Sequence, residues 1–278
     1  MFSIGNDFNL INLKLDEGAT PLNMIWLDGG EYLSGDHLDW EEDQIYSLGS
    51  NVESISKLSS GFWMGQYLIT QAQWDAFSNE PLINIIENNE REINQFSFKK
   101  GKNLPLYNVT WVEAMRFCRH LNIEYKDYLP KGYHFSLPTA MHWEYACLGG
   151  SKKVVISDDG ISSNKKDMPV GQNPANGYGL YDMLGNIRQW CYDILGYWSC
   201  YEDEVSNMDE KSWWKGYGAE WRIIRGWWKS SFTEYAPYKY YTAEKKIGFR
   251  VCLRPVISHK NCDLDDPLLK NQNIKILG

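Results

Sequence analysis

The chain contains no apolar run long enough to cross a membrane as a helix, for which about 20 residues are needed. Its start, MFSIGNDFNLINLKLDEGATPLN, lacks a basic segment followed by an apolar core. It does not read as a secretory leader, and the expectation is a cytoplasmic chain with no membrane partner. Basic residues are in deficit, 28 Lys and Arg against 36 Asp and Glu, for a net charge of −8. That balance argues against nucleic acid. The six cysteines, Cys118, Cys147, Cys191, Cys200, Cys252 and Cys262, form no CxxC pair. Zinc is therefore not indicated, and free thiols are expected. The five histidines, His37, His120, His134, His142 and His259, show no HxH or HxxxH spacing. A facial triad would need His134 and His142 to meet Glu144 or Asp182 in space. Ser230 and Ser231 have no GxSxG context. NGYGLYDMLGN is followed by no lysine and no helix start, so it is not a phosphate loop. No repeat of 20–50 residues occurs.

What the chain does have is aromatic residues: 13 Trp, 18 Tyr and 10 Phe, 15% of the sequence. Hydrophobic residues at 43% and charged residues at 23% are ordinary for a folded domain. Many of the aromatics must form core, yet Trp and Tyr also build binding surfaces.

Regular structure reads as sparse. Residues 1–22 form an arm or edge strand. MIWLDGGEYLSGD, 24–36, alternates weakly and breaks at Gly29-Gly30, a hairpin signal. FWMGQYLI, 62–69, is a strand candidate that runs into the capping-box pattern Thr70-Gln-Ala-Gln73 and a short helix through Trp74 and Phe77. Thr110 and Glu113 form a second capping box. Trp111, Ala114, Met115, Cys118 and Leu121 follow at helical spacing, which predicts an amphipathic helix over 111–122. Thr139 caps a third helix with Trp143, Ala146 and Cys147 on one face, ended by Gly149-Gly150. Val170 to Asp193 is a loop rich in Asn, Gly, Pro and Asp that enters a strand; such loops turn tightly or hold an ion through backbone carbonyls. RIIRGWW, 222–228, and IGFRVCL, 247–253, read as buried strands. The sum is one α+β domain with much irregular chain.

Six segments in order carry a resemblance: FWMGQYLITQAQWDAF (62–77), LPLYNVTWVEAMRFCRHLN (104–122), SLPTAMHWEYACLGG (136–150), PVGQNPANGYGLYDMLGNIRQW (169–190), RIIRG (222–226) and IGFRV (247–251). Together they resemble the formylglycine-generating enzyme, or sulfatase-modifying factor, family over roughly residues 20–255. The resemblance implies that family's variant of the C-type lectin fold: a small twisted antiparallel sheet, few helices and long loops. It divides the chain into an arm (1–22), a domain (23–255) and a tail (256–278).

The chain departs from the family where the chemistry lies. The resemblance implies copper held by two cysteines after an RGGS-like strand, where soft thiolates select Cu(I) and oxygen then oxidises a substrate cysteine. Here that strand continues Gly226-Trp227-Trp228-Lys229-Ser230-Ser231. Ser231 matches the first copper cysteine and Ala236 falls at or near the second, so copper and formylglycine synthesis are not expected. Family members also read GNVWEW, whose Glu helps to bind a structural calcium with nearby carbonyls. The present Gly185-Asn186-Ile187-Arg188-Gln189-Trp190 retains Gly185 and Ile187 and replaces that carboxylate by Gln189. Because a hard cation prefers carboxylates, a calcium site at these residues is weakened or lost. Cys118 and Cys147 fall where some secreted relatives carry disulfide cysteines, and Cys252 is one position off a third; buried free thiols are the expectation.

The positive signal lies at 197–241, which holds Tyr197, Trp198, Tyr201, Trp213, Trp214, Tyr217, Trp221, Trp227, Trp228, Tyr235, Tyr238, Tyr240 and Tyr241, with Lys211, Lys215, Lys229 and Lys239 interleaved. Some of the tryptophans, Trp221, Trp227 and Trp228 among them, are core candidates. Tyr235 to Tyr241 lie between the last two predicted strands, and tyrosine there is typical of a recognition surface. The resemblance places this segment on the floor of the substrate groove. It is also the ligand face of the variable proteins of diversity-generating retroelements, which share the fold. The first expectation is thus a catalytically divergent module that binds a protein or peptide through Trp213, Trp214, Tyr217, Trp227, Trp228, Lys229, Ser231, Tyr235, Tyr238, Tyr240 and Tyr241, with no cofactor. The alternative is a metal-dependent oxidoreductase of altered chemistry acting on a peptide or metabolite.

Overall fold

The computed structural model describes residues 4–9, 15–34, 54–77, 99–151, 168–194, 221–226, 234–237 and 246–256. In chain order its strands are β1 (Phe8–Asn9), β2 (Asn23–Leu27), β3 (Gly30–Ser34), β4 (Ser54–Leu58), β5 (Phe62–Gly65), β6 (Tyr133–Ser136), β7 (Arg188–Ile194), β8 (Trp221–Arg225), β9 (Glu234–Pro237), β10 (Ile247–Gly248) and β11 (Cys252–Pro255). The described helices are α1 (Gln71–Phe77), α2 (Trp111–Glu124) and α3 (Ala140–Leu148).

β1, β2, β5, β11 and β6 make a five-stranded antiparallel sheet in that order. Its central strand β5 is buried along its whole length, and its side chains alternate between two cores. Trp63 joins the core built with α2, through Trp111, Ala114, Met115, Cys118 and Leu121. Phe62 and Met64 join the core built with α3, through Trp143, Ala146, Cys147 and Leu148. β11 does the same, with Leu253 in the first core and Cys252 in the second. A second sheet runs β10-β7-β8-β9, with β10 parallel to β7 and the rest antiparallel. β3 and β4 pair separately.

The helices start where their capping residues stand. Thr110 Oγ1 accepts from Glu113 N at 3.2 Å, while Glu113 Oε2 accepts from Thr110 N at 2.6 Å. Thr70 and Gln73 repeat the arrangement at α1, at 3.2 and 3.0 Å. At α3, Thr139 accepts from His142 N, and Gly149 closes the helix in the left-handed region at φ 61°.

Four tryptophans, Trp63, Trp111, Trp143 and Trp190, are fully buried. Each donates its indole N–H to a distant acceptor: Asn6 O at 2.7 Å, Cys191 O at 2.9 Å, Gln189 Oε1 at 3.0 Å and Val109 O at 2.8 Å, in that order. In a fold with little regular structure, these large side chains supply core area and long-range hydrogen bonds at once.

Two strand expectations are corrected. β2 and β3 do not form a hairpin across Gly29-Gly30. β2 pairs with β1 and β5, whereas β3 pairs with β4. The glycines carry the chain from one sheet to another past backbone so close that a Cβ on Gly29 would lie 2.6 Å from Leu58 O. IGFRVCL is not one strand either. β10 belongs to the second sheet and β11 to the first, and the crossing between them places Arg250 among backbone carbonyls.

Candidate functional site

The turn at 181–187 has little regular backbone bonding, so its carbonyls must find partners elsewhere. Asp182 and Asn186 adopt positive φ, 51° and 57°, a conformation that Asp and Asn tolerate better than most residues. The partners are supplied by two side chains that reach in from other elements, Gln189 of β7 and Arg250 of the β10–β11 crossing, both fully buried.

Arg250 spends all its donors on this loop and its neighbours. Its Nε donates to Gln189 Oε1 at 2.7 Å. Nη1 donates to Gly65 O at 2.8 Å and Gln66 O at 3.4 Å. Nη2 donates to Tyr181 O at 2.7 Å and Asp182 O at 3.0 Å. Gln189 Oε1 also accepts from Trp143 Nε1 at 3.0 Å, while Gln189 Nε2 donates to Asp182 O at 2.9 Å and Met183 O at 3.0 Å.

The Asp182 carboxylate turns away from this centre. It accepts from Gly171 N and Asn173 Nδ2, both at 2.8 Å. Burial pushes its pKa up, against the N–H of Gly171 and the charge of Arg250. Burial likewise lowers the pKa of Arg250, to about 10, and the nearby Asp182 opposes that shift. The guanidinium therefore stays charged at neutral pH, balanced by one buried carboxylate.

Of the residues the sequence marked as a weakened calcium site, Gly185, Ile187 and Gln189 do come together, around Gly226. Gly185 N donates to Gly226 O at 2.9 Å. A Cβ on Gly226, whose φ is +100°, would lie 3.1 Å from Gln189 Nε2, 3.3 Å from Met183 O and 3.4 Å from Ile187 O. These carbonyls would suit a hard cation, but the side chain among them presents N–H, a donor that cannot ligate. The residues present do not fit calcium.

Of the two positions that the resemblance assigns to copper, Ser231 lies outside the described residues and the backbone of Ala236 pairs in β9 with Arg222 of β8. The four described cysteines, Cys118, Cys147, Cys191 and Cys252, are buried free thiols. Burial raises the pKa of Cys118, Cys147 and Cys191, that of Cys147 to about 12, so none of these three is a thiolate at neutral pH. The triad convergence also fails. His142 bonds Thr139 Oγ1 at 2.6 Å and packs on Phe62, while Glu144 lies 3.9 Å from Arg225. Among the described residues no three His, Cys, Asp or Glu are grouped to hold a metal.

Trp213, Trp214, Tyr217, Trp227, Trp228, Lys229, Ser231, Tyr238, Tyr240 and Tyr241 lie outside the described residues. The backbone of Tyr235, in β9, pairs with Ile223 of β8. The ends of the described strands give the roots of these segments. Ile194 pairs with Arg222, and Trp221 with Pro237, so the chain leaves β7, enters β8 and leaves β9 at one end of the second sheet. The connection from β8 to β9 springs from the opposite end, beside Gln189, which pairs with Arg225.

The sequence marks Asp182 only as a possible triad ligand, and it does not mark Arg250 or Asn176. The signal for Arg250 was its place in IGFRV beside two strand halves. Asn176 Nδ2 donates to Ala146 O at 2.7 Å, and its Oδ1 accepts from Tyr178 N and Leu180 N. It ties the loop to the end of α3.

An irregular α+β domain with a five-stranded antiparallel sheet, two helix-covered cores and a loop locked on a buried arginine is a C-type lectin-like domain of the formylglycine-generating type. The pattern of the sulfatase-modifying factor enzyme 1-like domain matches residues 13–255, and the chain belongs to that family. The chain is 26% identical to the chaperone protein LppX of Paenibacillus barcinonensis, the match covering 60% of this chain and 69% of that one. It is 25% identical to the formylglycine-generating enzyme of Mus musculus over 39% of this chain and 32% of the enzyme, less than half of that protein's length. The solved structure of PvdO from Pseudomonas aeruginosa superposes with a TM-score of 0.62 at 18% identity, covering 91% of this chain and 100% of that one. That likeness is one of fold.

Proposed function

We propose that this chain is a copper-free member of its family that binds a protein or peptide partner through the aromatic segments at 213–241. The observation that carries this reading is Ala236. It sits in β9 opposite Arg222, at or near the position where a copper-holding member needs a thiolate, and no cysteine lies between Cys200 and Cys252. The density of Trp and Tyr between 213 and 241 supports a recognition face, since these side chains bring large contact area at low entropic cost. A relative named as a chaperone, LppX, is in keeping with a protein partner. No nucleic acid, membrane or cofactor enters the proposal, and the chain is read as cytoplasmic. Among the described residues no helix is long and apolar enough to cross a membrane.

Elemental mass spectrometry on the purified full chain, with oxygen uptake in the presence of a cysteine peptide, tests it. The expected result is no stoichiometric copper or iron and no uptake. One transition-metal ion per chain with oxygen consumption would replace the binding reading by the oxidoreductase one. Changing Tyr235, Tyr238, Tyr240 and Tyr241 together to Ala should abolish capture of the partner while the melting temperature holds. Capture that survives the change would move the face elsewhere.

A further inference from the structure

We infer that the amide of Gln189 and the guanidinium of Arg250 do in this chain the work of a bound cation, and that residue 189 sets whether the 181–190 loop takes calcium. The hydrogen bonds fix the orientation of the Gln189 amide. Trp143 Nε1 and Arg250 Nε are donors only, so the atom they address, at 3.0 and 2.7 Å, is the oxygen. The other end of the amide is then NH₂, and it lies 2.9 and 3.0 Å from the carbonyl oxygens of Asp182 and Met183. Both acceptor positions and both donor positions of the amide are used, and the whole side chain is buried.

The space around Nε2 is oxygen-rich. Met183 O and Ile187 O both face Gly226 within 3.4 Å of where a Cβ would stand. A glycine there leaves that space open, and the amide nitrogen occupies it. Positive charge is also already present. Arg250 lies on the carbonyls of Gly65, Tyr181 and Asp182, with the Asp182 carboxylate as a counter-charge. A divalent ion at this point would meet a guanidinium across one side chain, and both are buried where screening is weak.

A glutamate at 189 reverses the arrangement. One oxygen still accepts from Trp143 and Arg250. The other is directed at two carbonyl oxygens with no donor between them, a cradle that a hard cation completes. Calcium should thus be excluded by the amide and admitted by the carboxylate.

The test is thermal melting of the full chain in calcium and in EDTA, together with hydrogen exchange of residues 182–190 in both. For the native sequence the two melting curves should coincide, and exchange in the loop should not change. Gln189→Glu should lose roughly 10 °C in EDTA and recover much of it in calcium. Calcium that raises the native melting temperature and protects 182–190 would overturn the inference. So would a Gln189→Glu protein as stable as the native chain in EDTA. If Gln189→Glu folds in neither buffer, the exchange of the native loop decides alone.

Discussion

At the start of α2, Thr110 and Glu113 satisfy each other's polar groups from three residues apart. In the 181–190 loop, the carbonyls of Tyr181 and Asp182 are satisfied by Arg250, 69 and 68 residues away in sequence. Both devices leave few buried polar groups unanswered, but they depend on different things. The capping box forms with its own helix and needs only φ, ψ and two side chains. The loop network exists only once α3, β7 and the β10–β11 crossing have come together. Breaking the first loosens one helix end. Breaking the second strips partners from three elements at once, because a buried donor with many acceptors cannot be replaced by water.

The largest effect expected is therefore at Arg250. Arg250→Met leaves the carbonyls of Gly65, Tyr181 and Asp182 without this donor and Asp182 without its buried counter-charge. A loss of about 3–5 kcal/mol in chemical denaturation follows. A loss below 1 kcal/mol would erase the contrast between the two devices. Next is Gly149, where α3 meets the loop. A Cβ there would be forced to φ 61° and would lie 2.8 Å from Gly177 N. Gly149→Ala should cost about 1–3 kcal/mol. Thr110→Ala should cost about 1 kcal/mol, with the loss confined to helix content at the start of α2 and no change in exchange at 181–190.

The smallest effect is one of slope. The Asp193 carboxylate accepts from Ala140 N at 2.5 Å, at the start of α3. Burial raises its pKa despite that N–H and the charges of Arg254 and Arg225. A carboxyl that holds its proton to higher pH in the folded state favours folding most when protonated. Its contribution falls as pH rises from the ordinary aspartate value, about 4, through the raised one. Asp193→Asn should remove that decline, seen as a flatter profile of denaturation midpoint against pH. An unchanged profile would mean that Asp193 does not titrate differently in the two states.

The same contrast explains how much was legible in the sequence. Thr70, Thr110 and Thr139 announced three helix starts because each signal is complete within four residues. The buried faces of α2 and α3 followed from spacing for the same reason. The division of IGFRVCL between two sheets was not legible. It follows from where the Arg250 side chain binds, and apolar runs of that length carry no mark of a sheet change. The false hairpin at Gly29-Gly30 has a similar cause: glycine permits a tight hairpin and a close crossing alike. The sequence marks Gln189 as a weakened ligand by its position, whereas its four partners, from Trp143 to Arg250, come together only in three dimensions. The proposed aromatic face rests on residue type.

The inference at Gln189 makes the 181–190 loop one held by its own side chains instead of a metal. Melting the native full chain in calcium and in EDTA tests it most directly. With Gln189 and Arg250 holding the loop, the two transitions superimpose; a transition that shifts upward in calcium, with protection of residues 182–190, would mean that a metal holds it.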